Sequence, residues 1–157
     1  MIKQRKKALV LAGSRGIGKA IANSLKEIPW LKVDALSSKD LDTSNLEKCI
    51  ELCDSYESLD VIVLNTGGPP AKPFSDITLD DWNKYHNQLF LGFALILQKI
   101  KINDGGFIFL MSSYNIKEPD SNLILSNTYR IAISSLLKSL SPKFASREIS
   151  CINIAPG

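Results

Sequence analysis

Lys7-Ala-Leu-Val-Leu-Ala-Gly-Ser-Arg-Gly-Ile-Gly-Lys-Ala-Ile-Ala22 passes from an apolar strand through a glycine turn into an amphipathic helix within one short span. Ala8 to Leu11 is a continuous apolar run, as expected of a parallel strand buried on both faces. Gly13, Gly16 and Gly18 allow backbone amides to approach a pyrophosphate closely. A helix starting near Gly16 would aim its unpaired N–H groups and positive dipole end at that anion. Three glycines before a helix also serve plain turns, so the reading depends on the order of elements in the rest of the chain.

Strands and helices alternate from there to the end. The first helix ends at Lys26, Pro29 breaks the pattern, and Leu31 to Leu36 reads as a second strand released into Ser37-Ser38-Lys39. Asp42-Thr43-Ser44-Asn45 caps a helix running to about Tyr56, with Leu46, Cys49, Ile50 and Cys53 at helical spacing. Only Lys39 to Asp42 is left for another strand there, so the first half of the sheet is cut short. Asp60 to Leu64 is the next strand, opening into Asn65-Thr-Gly-Gly-Pro69. Ile77 to Lys101 reads as one long helix, with Asp104-Gly-Gly106 after its end. Phe107 to Met111 reads as a strand, Ser112 to Leu125 as a loop, Ser126 to Phe144 as a helix and Ile149 to Ile154 as a last strand. The pattern predicts an α/β fold with helices on both faces of a doubly wound parallel sheet of Rossmann type, its crevice at the carboxyl ends of the strands.

Composition narrows the class. With 157 residues, 45% hydrophobic and 22% charged, one domain spanning 1–157 is expected. Net charge is +3, and Lys3, Arg5, Lys6 and Lys7 read as a solvated lead-in; no aromatic or basic stripe suggests a nucleic-acid partner. The apolar runs at Ala8 to Ala12 and Leu89 to Leu97 are too short for a signal core or a bilayer span, so a cytoplasmic protein without a membrane partner is expected. Cys49, Cys53 and Cys151 are odd in number, and no further Cys or nearby His completes a metal site. Leu89, Phe90, Phe93, Leu95, Ile96 and Leu97 exceed what one helical face needs, which suggests a homo-oligomer paired through the long helices.

The order of motifs resembles the short-chain dehydrogenase/reductase family, especially its 3-oxoacyl carrier-protein reductase-like members. Gly16-Ile17-Gly18, Asp42, Asn65-Thr66-Gly67 in place of Asn-Ala-Gly, Met111-Ser112-Ser113 and the final Asn153-Ile-Ala-Pro-Gly157 carry the likeness over nearly the whole chain. It implies an oxidoreductase acting on a small carbonyl or alcohol. By the same resemblance, Gly13 and Ser14 to Gly18, including Arg15 and Ile17, would embrace the pyrophosphate. Asp42 would meet the adenine, Asn65 to Gly67 the adenosine ribose, and Pro156-Gly157 the nicotinamide. The family's first glycine falls on Ala12. Relatives continue beyond Pro-Gly with a covering loop, another helix and a final strand, so a sheet lacking that strand is expected.

The cofactor choice follows from charge. NAD sites place an acidic residue at the end of the second strand, whereas here Ser37, Ser38 and Lys39 offer donors and a cation, and Arg15 adds a second. NADP(H) is the expectation. The catalytic set departs from the family. Ser113 matches the serine that holds the substrate oxygen, but Ser126 occupies the tyrosine position, Arg130 the lysine position and Leu89 the asparagine position. A serine hydroxyl is a far weaker acid than a phenol with a cation beside it. Ser126 and Arg130 share a helical face, so Arg130 could still hold the nicotinamide ribose. Tyr114, Lys117 and Tyr129 are alternative proton donors, and lone His86 reads as structural.

Overall fold

The computed structural model describes residues 5–157; Lys3 of the basic lead-in lies outside them. Five strands, β1 (Lys6–Val10), β2 (Leu31–Ala35), β3 (Leu59–Leu64), β4 (Ile102–Met111) and β5 (Ser150–Ile154), form one sheet in the order β2-β1-β3-β4-β5. Every pairing is parallel, as strands connected by helical crossovers require. The helices are α1 (Gly16–Lys26), α2 (Leu46–Asp54), α3 (Leu79–His86), α4 (Gly92–Lys99) and α5 (Ile124–Ala145). The fold is the Rossmann-like α/β layer expected, shortened in its first half.

Strand periodicity divides the core. Leu9, Leu11, Ile62, Leu64, Ile108 and Leu110 face Cys49 and Cys53 of α2, Phe93, Ile96 and Leu97 of α4, and Ile133 and Leu137 of α5. The intervening Val10, Val63 and Met111 face Ala22 of α1. Three helices therefore cover one face, and α1 packs on the other. Burial pushes the thiols of Cys49 and Cys53 up to about 11, and all the cysteines are free. Among the described residues, no group of three or more His, Cys, Asp or Glu could hold a metal ion, and no helix is long and apolar enough to cross a membrane.

Three expectations are corrected. The long helix begins at Leu79, where Thr78 and Asp81 form a reciprocal capping box, and is interrupted by a π-helical turn at Asn87–Leu91. That insertion rotates the following turn. Leu89, Phe93, Ile96 and Leu97 are thereby all buried in this chain's own core, leaving only Phe90 and Leu95 of the apolar excess part-exposed. Secondly, Asp104-Gly-Gly106 is not a helix end but lies within β4. Gly105 takes φ +70°, and a Cβ on Gly106 would stand 2.7 Å from the Asp60 carbonyl, so glycine serves a close strand approach here. Thirdly, α5 starts at Ile124, ahead of Ser126, and its N-cap Leu123 makes no side-chain bond.

Candidate functional site

The sheet order reverses at β1, whose neighbours β2 and β3 both follow it in sequence. Outside the carboxyl ends of such strands, the diverging connections leave a crevice. A cavity of about 620 Å³ lies there. Its walls come from the segment after β1 (Leu11, Ala12, Ser14, Arg15, Ile17, Gly18), after β2 (Ser38, Leu41, Asp42, Thr43) and after β3 (Asn65, Thr66, Gly67, Gly68). Lys84 and Tyr85 of α3 and Gln88 of the π-helical turn close it.

The glycine turn is fixed by contact. A Cβ on Gly18 would lie 2.2 Å from the Ala12 carbonyl oxygen and 2.7 Å from Asn65 Nδ2, so the start of α1 presses directly on the strand ends. Asn65 Nδ2 donates to that same Ala12 carbonyl at 3.4 Å. Gly13 packs against Ala35. Gly16 takes φ +54° with open space where a Cβ would be, and Arg15, the N-cap of α1, supplies no side-chain cap. The first-turn amides are thus left without a capping side chain beside the cavity. Chemically, this is a cradle for an anion.

Ala12 departs from the expected glycine at a cost. It sits at φ +47°, in the left-handed region, where an L-residue carries roughly 1–2 kcal/mol of strain. Glycine would relieve it, less the roughly 0.4–1 kcal/mol that its freer unfolded chain takes back. Ala12→Gly is expected to raise stability by about 0.5–1 kcal/mol in a denaturant titration; a lower midpoint would contradict this account of the turn.

The turn after β2 is built differently from its sequence reading. Ser37 donates from both its amide and its hydroxyl to Asp40 Oδ2, each at 2.7 Å, and accepts the Lys39 amide at 3.2 Å. These bonds hold the Asp40 carboxyl below its ordinary pKa. The Ser37 hydroxyl proton is therefore engaged within the turn. Ser38 lines the cavity; exposed Lys39 belongs to the same turn but not to the lining. Asp42 Oδ1 accepts from the amide and hydroxyl of Ser44, at 2.9 and 2.8 Å, while Asn45 caps α2.

Gln88 carries no motif in the sequence and Thr43 reads only as part of a capping stretch, yet they tie the cavity floor to the π-helical turn. Gln88 Nε2 donates to Thr66 Oγ1 at 3.2 Å and to the Gly67 carbonyl at 2.9 Å. Buried Thr43 donates to the Gln88 carbonyl at 2.9 Å. Gly92 lets this contact form, since a Cβ there would stand 2.2 Å from the Thr43 carbonyl oxygen. Leu89, at the expected asparagine position, points into the core instead.

Outside the cavity lining, at the ends of β4 and β5, stand the residues expected to do chemistry, with Arg130 reaching back to the cavity-wall residue Thr66. Arg130 Nε donates to Ser126 Oγ at 3.1 Å, Nη1 to the Met111 and Ser112 carbonyls at 2.9 and 3.3 Å, and Nη2 to the Thr66 carbonyl at 3.5 Å. Burial lowers the guanidinium pKa from its ordinary value. Ser113 Oγ accepts the Asn115 amide at 3.2 Å, opening the 3₁₀ turn Tyr114–Ile116. The Pro156 carbonyl accepts the Tyr114 amide at 2.8 Å, so Pro156-Gly157 runs beside this turn. Tyr114 is half exposed; Tyr129 instead donates its hydroxyl to the Trp82 carbonyl at 3.2 Å and packs edge-on against Trp82 and His86. Tyr129 and His86 are packing residues. The structure brings Ser113, Ser126, Arg130 and Pro156 to one end of the sheet and the glycine turn, Ser38, Asp42 and Asn65-Thr66-Gly67 to the cavity.

Solved structures share this architecture. A short-chain dehydrogenase from Burkholderia cenocepacia in complex with NADP is 24% identical, with TM-score 0.84, over 98% of this chain and 75% of that one. A short-chain dehydrogenase/reductase from Serratia marcescens is 23% identical, with TM-score 0.85, over 97% and 78%. BdcA in complex with NADPH is 21% identical, with TM-score 0.86, over 97% and 70%. No curated protein matches the sequence. The family model "short chain dehydrogenase" matches residues 32–157, most of the chain, and with the fold and crevice described, the chain belongs to the short-chain dehydrogenase family.

Proposed function

We propose that residues 1–157 form a single NADP(H)-binding domain of an oxidoreductase acting on a small carbonyl or alcohol. The observation that carries the reading is the cavity at the switch point, walled by an uncapped helix start with Arg15 at its mouth. In it, the turn Gly13 to Gly18 holds the pyrophosphate and Asp42 the adenine, while Asn65, Thr66 and Gly67 line the adenosine ribose. Arg15 and Ser38, with Lys39 on the same turn, favour a ribose 2′-phosphate over a bare hydroxyl. Complexes of similar proteins with NADP and NADPH support this choice.

When bound, the cofactor supplies hydride exchange at nicotinamide C4. This chain's part is to place Ser113 against the substrate oxygen, with Pro156-Gly157 flanking the same end and Ser126 beside the Arg130 guanidinium. Nε of Arg130, by donating to Ser126 Oγ, draws electron density from that hydroxyl and favours its own donation. A homo-oligomer formed through the helices would use Phe90 and Leu95.

A second reading, a catalytically silent NADP(H)-binding subunit, is favoured by one observation: Arg130 spends its donors on Ser126 and three main-chain carbonyls. NADPH oxidation across a panel of aldehydes and ketones separates the two, because the silent subunit binds without turnover. Arg15→Ala should weaken NADPH binding by about tenfold or more, from the loss of a charge-assisted bond, and leave NADH binding nearly unchanged. Retained NADPH preference in that variant would remove Arg15 from the site.

A further inference from the structure

The chain just beyond β3 is held in place by side chains. Among the described residues, no bond between main-chain groups reaches Thr66, Gly67 or Gly68. A Cβ on Gly67 would meet nothing within 4 Å, so packing does not fix this stretch either, and two glycines in a row leave its main chain many conformations. Gln88 supplies the constraint. Its Nε2 donates to Thr66 Oγ1 at 3.2 Å and to the Gly67 carbonyl at 2.9 Å, and Thr43 Oγ1 stands 3.3 Å from the same Thr66 hydroxyl.

Gln88 is itself anchored. Its carbonyl accepts the hydroxyl of buried Thr43 at 2.9 Å, and it is the side chain of the π-helical turn that lines the crevice, whereas neighbouring Leu89 is buried in the core. Turns of this kind inside a helix occur frequently at functional sites.

The same stretch runs across Arg130. A Cβ on Gly68 would lie 3.5 Å from Nη2, and Nη2 donates to the Thr66 carbonyl at 3.5 Å, the longest of the four bonds this side chain makes. Nε and Nη1 fix one edge of the guanidinium on Ser126, Met111 and Ser112, and Thr66 fixes the other. Because the fork is planar and rigid, its tilt at Nη2 sets how the Nε–H meets Ser126 Oγ.

Resting on the reading of Ser126 and Arg130 as the chemical end of the site, we infer that Gln88 is a positioning residue for the Ser126–Arg130 pair, acting through Thr66. The π-helical turn holds Thr66 and Gly67, and Thr66 holds the guanidinium in the plane that reaches Ser126. Gln88 touches neither member of the pair.

The test is NMR of the full chain labelled with isotopic arginine, reading the Nε–H signal of Arg130. Arg147, whose Nε donates to Asp104 at 2.8 Å, is the internal reference. Gln88→Leu and Thr66→Val should each speed exchange of the Arg130 Nε proton with solvent by about tenfold, from loss of one or two of the bonds that hold the stretch. Thr66→Ser keeps the hydroxyl and should keep the parent rate, and Arg147 should not change in any variant. An unaltered Arg130 proton in Gln88→Leu and Thr66→Val, equal acceleration in Thr66→Ser and Thr66→Val, or an equal change at Arg147 overturns the inference. NADPH oxidation over aldehydes and ketones, measured on the same parent protein, tests the oxidoreductase reading separately: no turnover ends that reading, while the Arg130 signals still decide whether Gln88 sets the pair.

Discussion

Arg130→Ala is expected to lower the stability of this protein by about 2–4 kcal/mol, because the guanidinium donates to main-chain carbonyls at the ends of two strands. Met111 and Ser112 are 4% and 5% exposed, and their carbonyls accept from Nη1. Leaving buried acceptors unpaired costs roughly 1–3 kcal/mol each, reduced where water can enter. Nη2 adds a bond to Thr66 at the end of β3, so the side chain joins the ends of two strands and α5. Thermal denaturation should show Tm falling by roughly 5–15 °C. Arg130→Lys should recover part of this, since one ammonium can replace one or two of these bonds but not the planar fork. A Tm within about 1 °C of the parent would show that the carbonyls find other partners and that the guanidinium is free for ligand.

Gly18→Ala should be nearly as damaging to the fold and more so to binding. Its Cβ would meet the Ala12 carbonyl oxygen at 2.2 Å, and this neighbour is backbone, not a flexible side-chain end. Overpacking of this kind costs typically about 1–3 kcal/mol. The relief must come from moving the start of α1 away from β1, which carries the first-turn amides off their line. Losing even two amide bonds to an anion lowers affinity about a hundredfold or more. Gly67→Ala is the matching control, because a Cβ there meets nothing within 4 Å. It should leave stability within about 0.5 kcal/mol while weakening NADPH binding, since Gly67 lines the cavity. Equal NADPH affinity in the parent and both variants would displace the ligand from the glycine turn.

Much of this is legible in the sequence because the fold is dictated by repeated local rules. Apolar runs that end in glycine or polar turns specify buried parallel strands, and the segments after β1, β2 and β3 meet at one sheet edge as a consequence of topology. Hence Ser14 to Gly18, Ser38, Asp42 and Asn65 to Gly67 fall into one crevice once strand order and the family likeness are recognised. The π-helical turn is hidden because one inserted residue leaves the apolar run from Leu89 to Leu97 intact while changing which side chains face inward. The first half of β4 is hidden because Asp104-Gly-Gly106 has the chemistry of a turn, whereas Gly105 supplies a positive φ and Gly106 a close strand contact. The start of α5 carries no capping residue to read. Lys84 and Gln88 escape for a different reason: polar residues on an amphipathic helix read as solvent-facing until the fold turns that face toward a cavity.

The same logic explains why the two ends of the crevice differ in how far sequence can take them. Backbone cradles depend on glycine and helix starts, which leave clear marks in a sequence. Proton transfer depends on which hydroxyl is left unspent, and that is a property of the hydrogen-bond network. Here Ser37, Arg130 and Tyr129 are each drawn into bonds within the protein that no spacing rule announces.

The most direct test of the central claim is calorimetric titration of the purified chain with NADPH and, separately, with NADH. Saturable binding of one NADPH per chain, with NADH weaker by about tenfold or more, is the result expected of a cradle with cations at its mouth. A folded chain that binds neither, or binds both equally, would contradict the assignment of the cavity to NADP(H).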